Sequence, residues 1–231
     1  MTAHARLERL SLLGIGIYSP ADAGRLTHVP ATRIRRWLCG HRIDDRHYRE
    51  LWAAQIDIDD GDIYLGFRDL IEVRVVNALI EAGLSAQKVR RAIDIARDRY
   101  GIDRPLSTRR FRTDGKHVFL LLADEGQDRT VDLFRDQFAI RQVLEPSFKG
   151  LEFDEEGMPA RWRIDQGVLV DPAYSFGQPI EQETLVPTRV LAAAAAAEGS
   201  GAAAAQAFVV PLRAVNRAVA FEQSIARRQA A

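Results

Sequence analysis

Apolar positions fall at helical spacing toward both ends of the chain, with shorter alternating stretches between. Ser19-Pro20-Ala21-Asp22 reads as a helix start. The serine can cap free N–H groups, proline suits the first turn, and the aspartate meets the positive end of the helix dipole. Thr27-His28-Val29-Pro30 breaks that helix; Pro30 opens a second one to about Leu38, and Gly40 stops it. Two short helices around a tight turn predict a helix-turn-helix. Ile56–Asp62 and Ile63–Phe67, around Asp60-Gly61, read as a hairpin. A helix is expected from Arg68 to Ala82. Another, capped by Ser85, carries Val89, Ala92, Ile93, Ala96 and Tyr100 on one face.

In the middle, Phe111-Arg112-Thr113 and Lys116 to Leu122 flank Asp114-Gly115, a hairpin signature. A helix around Phe138–Leu144 and a second hairpin follow, the latter pairing Leu151–Phe153 with Ala160–Ile164 around Glu156-Gly157. Beyond Gln166, Asp171-Pro172 and Gly177-Gln178-Pro179 signal loops. Three short helices are then expected: Thr188 to Glu198, Ser200 to Phe208, and Pro211 to Ile225. The alanine tracts at 192–197 and 202–205 suit close helix packing, because alanine is the strongest helix former. The expected fold class is mainly α (α+β). An N-terminal helix-turn-helix unit would span 1–104, a mixed connecting segment with small hairpins 105–165, and a three-helix domain 166–231.

The hydrophobic content of 47% suits a folded chain. The longest strongly apolar run, Val118 to Ala123, is far below the roughly 20 residues a membrane helix needs. Few apolar residues and no small-residue cleavage site at the start predict no signal peptide, and the single cysteine, Cys39, allows no internal disulfide. A cytoplasmic location is the expectation. Net charge is zero, but it is unevenly spread: residues 1–110 hold 19 basic and 15 acidic side chains, and the remainder 13 and 17. Residues 23–43 contain Arg25, Arg33, Arg35, Arg36 and Arg42 with no carboxylate, a stripe suited to phosphates.

On a helical wheel, Ile34, Trp37 and Leu38 cluster on one side of the second helix and Thr32 and Arg36 face away, with Arg33 and Arg35 on the flanks. A DNA recognition helix needs this polarity, since arginine can bond guanine bidentately in the major groove. Thr32, Arg33 and Arg36 are the candidate base contacts. Arg25, Arg35, His41 and Arg42 are the candidate backbone contacts that position the helix. Arg213, Asn216 and Arg217, spaced i, i+3, i+4 on the last helix, form a second candidate face for DNA or a protein partner.

Tyr18 to Thr27 and Val29 to Trp37 resemble the opening of MerR-family DNA-binding domains. Ile63-Tyr64-Leu65, Phe67 onward and Gly83-Leu84-Ser85 are similar to that family's wing and the helices after it. The match spans roughly 14–100 and implies a winged helix-turn-helix. It departs at Asp57, Asp59, Asp60 and Asp62, which crowd the expected wing where basic residues would meet phosphate. These aspartates do not fit an EF-hand either, because Asp62 and Arg68 occupy the positions that need glycine and glutamate.

Val168 to Pro172, Phe176 to Ile180, Val186 to Leu191, Ala197 to Ser200, and Val209 through Glu222 resemble the C-terminal domain of unknown function found in VapB-like type II antitoxins. Leu151 to Asp154 and Gly157 to Trp162 are similar to the region preceding it. Glu183-Thr184-Leu185 departs from that family's Gly-Thr-Arg, which removes an arginine contact. The resemblance implies an antitoxin that neutralises a toxin, typically a PIN-domain ribonuclease, and represses its own operon. Operator DNA, the cognate toxin and a second copy in a homodimer are the implied partners.

No enzyme, cofactor or metal is expected. The five histidines are scattered, Cys39-x-His41 with His47 is a poor zinc array, and Walker, dinucleotide and nucleophile-elbow motifs are absent. Two alternatives remain at this level: a stand-alone MerR-like regulator whose central segment, 106–164, senses a ligand, and an adaptor without DNA binding.

Overall fold

The computed structural model describes residues 14–56, 61–124 and 137–230. They make an α+β protein of two compact units. One takes in 18–149 with 153–159, the other 14–17, 150–152 and 160–230.

The first unit is mostly helical. Its elements are α1 (Pro20–Thr27), α2 (Ala31–Cys39), the hairpin β1 (His41–Ile43) and β2 (Arg46–Tyr48), α3 (Phe67–Glu81), α4 (Ala86–Tyr100), a 3₁₀ turn at Pro105–Ser107, α5 (Arg109–Asp124) and α6 (Gln137–Phe148). Helix α3 is its axis: Leu70, Ile71, Val73, Val75, Val76 and Leu79 are all buried, so apolar side chains surround the helix instead of forming a stripe. Helix α4 starts at Ser85, whose hydroxyl accepts from the Lys88 N–H, and stops at left-handed Gly101, as its sequence signals indicate.

The Asp114-Gly115 hairpin does not form. Residues 109–124 are helical in α5, and Thr108 caps its start by accepting from the Phe111 N–H at 3.1 Å. Phe111, Gly115, Val118 and Phe119 are buried, the i, i+4, i+7, i+8 spacing of a helix. Gly115 acts as a small contact residue: a Cβ there would lie 3.4 Å from the Phe111 ring and 3.5 Å from Leu144 of α6. Helical burial overrides the local turn signal.

The second unit holds, but for Phe153 and Pro159 at the β3–β4 turn, a four-stranded meander, β3 (Leu151–Phe153), β4 (Pro159–Asp165), β5 (Val168–Val170) and β6 (Pro179–Glu181), then helices α7 (Thr188–Ala197), α8 (Gly201–Phe208) and α9 (Leu212–Ala230). The expected β3–β4 hairpin is present. Strands β5 and β6 stand where only loops were expected, with Leu169 opposite Ile180. Both are buried throughout, so their apolar runs lack the alternation that marks a half-exposed strand. The alanine tracts fold into α7 and α8, where Ala204 and Ala205 pack with Leu191, Val215 and Ala218. No helix among the described residues is long and apolar enough to cross a membrane.

Candidate nucleic-acid interface

The α1–α2 turn is set by local chemistry. Ser19 accepts from the Asp22 N–H at 3.1 Å and donates its hydroxyl proton to the Asp22 carboxylate at 2.6 Å. His28 closes α1 in the left-handed region at φ 61°. Gly24 permits the turn, because a Cβ there would come within 2.6 Å of the Val29 carbonyl. Helix α2 then buries Ile34, Trp37 and Leu38 and leaves Thr32, Arg33, Arg35 and Arg36 exposed. The Leu51 N–H donates to the Trp37 carbonyl at 2.7 Å, tying the following chain to its end.

Arg33 leans on α3: its Nη1 donates to Asn77 Oδ1 at 3.3 Å, and Asn77 in turn donates to Glu81 at 2.8 Å. Arg35 and Arg36 make no ion pair among the described residues. Arg25 is half-buried in α1. His41 is half-buried too, stacked on Tyr48 at 4.9 Å with its Nδ1 enclosed, whereas Arg42 is exposed. Cys39 is exposed.

A hairpin at 41–48, not expected from the sequence, adjoins α2. It pairs His41 with Tyr48, Arg42 with His47 and Ile43 with Arg46. Its arms carry Arg42, Arg46 and His47, and Asp44-Asp45 form the tip. Gly40 enables it, at φ 68° where any Cβ would collide with the Tyr48 carbonyl. In the expected 56–67 hairpin, Ile56 pairs with Tyr64 in a single antiparallel bridge and 57–60 lie outside the described residues; Tyr18 bridges Leu65 at the entry to α3. Of the acidic cluster, Asp62 is exposed, and Asp57, Asp59 and Asp60 lie outside the described residues. Sequence reading missed this hairpin, although His-Arg-Ile and Arg-His-Tyr flanking Asp-Asp is a recoverable turn signal.

The chain leaving the hairpin is pinned from beneath. Asp69 on α3 is fully buried and accepts from Trp52 Nε1 at 3.1 Å, the Gln55 N–H at 2.6 Å, the Gly66 N–H at 3.0 Å and Arg104 Nε at 2.5 Å. Arg90 donates to the carbonyls of Glu50, at 2.9 Å, and Arg49. One turn along α3, Glu72 is buried with a single partner, the Ser107 N–H at 2.9 Å; desolvation pushes its carboxyl up to about 8. Desolvation lowers the neighbouring Arg68.

In the second unit Arg213 and Arg217 are occupied internally. Arg213 Nε meets Glu183 at 2.9 Å, and Arg217 bridges Glu181 at 2.7 Å and Glu183 at 2.8 Å. Hydrogen bonds from the two guanidinium groups hold the Glu183 carboxyl down at about 2. Asn216, between them in sequence, is exposed.

No family model matches the chain. A protein of Mycobacterium tuberculosis named "Putative antitoxin VapB45" is 22% identical over 184 residues, covering 72% of this chain and 77% of its own. The crystal structure of Rv2018 from the same organism has a TM-score of 0.69 and 20% identity, over 90% of this chain and 99% of that one. The second likeness is one of fold alone. The first makes this chain a distant homologue of a protein that carries an antitoxin name.

Proposed function

We propose that this protein is the antitoxin of a type II toxin–antitoxin pair, binding a cognate toxin and repressing its own operon. The observation that carries the DNA half is the polarity of α2: Ile34, Trp37 and Leu38 anchor it while Thr32, Arg35 and Arg36 project without carboxylate partners. The reading is a MerR-like winged helix-turn-helix with 41–48 as the wing. Its basic arms then relieve the conflict posed by aspartates at 57–62. Thr32 and Arg36 read bases, Arg35 and Arg42 hold phosphates, and Arg33, bonded to Asn77, positions α2 against α3. His41 shapes the hairpin through Tyr48, and Arg25 supports α1. A homodimer would place two α2 helices in successive major grooves of a palindromic operator in the cytoplasm.

The toxin half rests on the antitoxin name of the distant homologue and on the likeness of 166–231 to antitoxin C-terminal domains. The toxin expected is a PIN-domain ribonuclease, and the regulator acts without enzymatic activity of its own. A stand-alone, ligand-sensing regulator is the second reading; within the mixed segment 106–164 on which it relied, 109–124 is helical, while the hairpin of Leu151–Phe153 with Pro159–Asp165 is present.

Fluorescence anisotropy on the DNA upstream of the gene tests the proposal. Arg36→Ala should weaken binding by about 1–3 kcal/mol, and wild-type affinity should fall linearly with salt on logarithmic axes. Binding indifferent to both salt and Arg36 would remove α2 as the reader.

A further inference from the structure

Beside the hairpin stem lies a cleft of about 560 Å³, within the range of small-molecule sites. Its floor is the 49–54 segment with Trp52. One wall is α4, whose Arg90, Asp94 and Arg97 recur at i, i+4, i+7, and the loop arginine Arg104 closes the far side. This wall is polar, so the site suits a hydrophilic, charged occupant.

The arginines are fixed in place but not used up. Arg90 spends Nε and Nη2 on two backbone carbonyls, so no carboxylate neutralises its charge. Arg104 spends Nε on Asp69 and Nη2 on the Ala53 carbonyl at 2.9 Å. Arg97 spends only Nη1, on Asp94 at 3.2 Å. Each therefore keeps at least one Nη with further donors. Four arginines, counting Arg49, face three carboxylates in the lining, of which Asp94 is paired with Arg97 and Glu50 with Arg49 at 3.7 Å, leaving Arg90 without a carboxylate partner among the described residues. Three guanidinium groups braced by internal bonds present more donors than the two oxygens of a carboxylate can accept; a phosphate, with more oxygens and a second charge, matches them better.

We propose that this cleft is a phosphate-binding site, with Arg90, Arg97 and Arg104 as the ligating groups. The phosphate belongs either to a nucleic-acid backbone lying past the hairpin or to a free phosphorylated molecule. The inference does not require α2 to read DNA.

The chain has three tryptophans, so its amide spectrum holds three indole N–H signals, and Trp52→Phe assigns that of Trp52. Titrating inorganic phosphate into the full chain should displace the Trp52 signal saturably, and chloride at equal ionic strength should not. Arg97→Ala should weaken that response by about tenfold or more. Arg97 is half-exposed and bonded only to Asp94, so the variant keeps the 49–54 segment in place, which unmoved Trp37 and Trp162 signals verify. A Trp52 signal indifferent to phosphate, or equally responsive in Arg97→Ala, overturns the site. Random-sequence duplex DNA then separates the two sources. If it moves Trp52, the phosphate is that of the backbone; if it leaves Trp52 unmoved where inorganic phosphate acts, the ligand is a free phosphorylated molecule. Arg36→Ala leaves the phosphate titration unchanged, so failure of DNA reading by α2 and failure of the cleft are distinguishable.

Discussion

Two carboxylates three residues apart on α3 meet different fates because their neighbours differ. Asp69 gathers four donors and anchors the chain after the hairpin, whereas Glu72 has one N–H and an enclosed Oε2 without a partner. Desolvation therefore wins at Glu72, and its folded-state pKa of about 8 lies above the ordinary 4.5. The folded protein then holds a proton that the unfolded chain has released. Stability from this group is complete below about pH 4.5 and is lost progressively as pH rises to about 8. Glu72→Gln keeps the shape and removes the titration, so its melting temperature should fall less than wild type between pH 5 and pH 8. The difference should correspond to a few kcal/mol at most; parallel profiles would show that Glu72 is not protonated in the fold. Glu183 acts in the opposite sense: its carboxyl is held low by Arg213 and Arg217, so its support is present above the usual carboxylate range and is lost as pH falls toward 2.

At the scale of elements, two glycines let a helix pair and a hairpin share a short stretch of chain. Gly40 sits in the left-handed region with the Tyr48 carbonyl against it, so Gly40→Ala suffers both backbone strain and collision. The expected loss is about 1–3 kcal/mol of stability, measured by denaturant unfolding. Under the proposed function, operator binding should weaken further than stability alone explains, because the hairpin is displaced. Gly115→Ala is the contrasting case. That position is helical, with neighbours at 3.4–3.5 Å, ordinary contact distances, and alanine is the better helix former. Unchanged or slightly raised stability is expected, and a large loss would mean that α5 and α6 are closer than they stand here.

For the whole molecule, the proposed function couples two activities in one chain. Co-expression with the product of the adjacent reading frame should yield a stable complex, recovered by affinity purification and sized by light scattering. Arg36→Ala should leave that complex intact while losing operator binding, because the proposal assigns α2 to DNA reading and not to the toxin. Loss of both together would mean that the toxin grips the first unit.

The helix ends were legible where capping residues act locally: Ser19-Pro20, Ser85, Gly101, and the breaks that separate α7, α8 and α9. The exposed face of α2 was legible too, since Ile34, Trp37 and Leu38 leave only one side for the arginines. Local chemistry misled at Asp114-Gly115, where an Asp-Gly pair has the same composition in a turn and in a helix packed against a neighbour. Sequence could not place Asp69 against Arg104, 35 residues on, or Arg90 against the carbonyls of Arg49 and Glu50, pairs that meet only after folding. The sequence by itself thus determined where the capped helices begin and end and which side of α2 faces outward, because capping and hydrophobic periodicity act over a few residues. Tertiary structure alone decided that Arg213 and Arg217 are drawn to glutamates, and that a buried aspartate and two arginines brace the chain after the 41–48 hairpin. Those outcomes depend on which distant groups share a desolvated space, which no local pattern encodes.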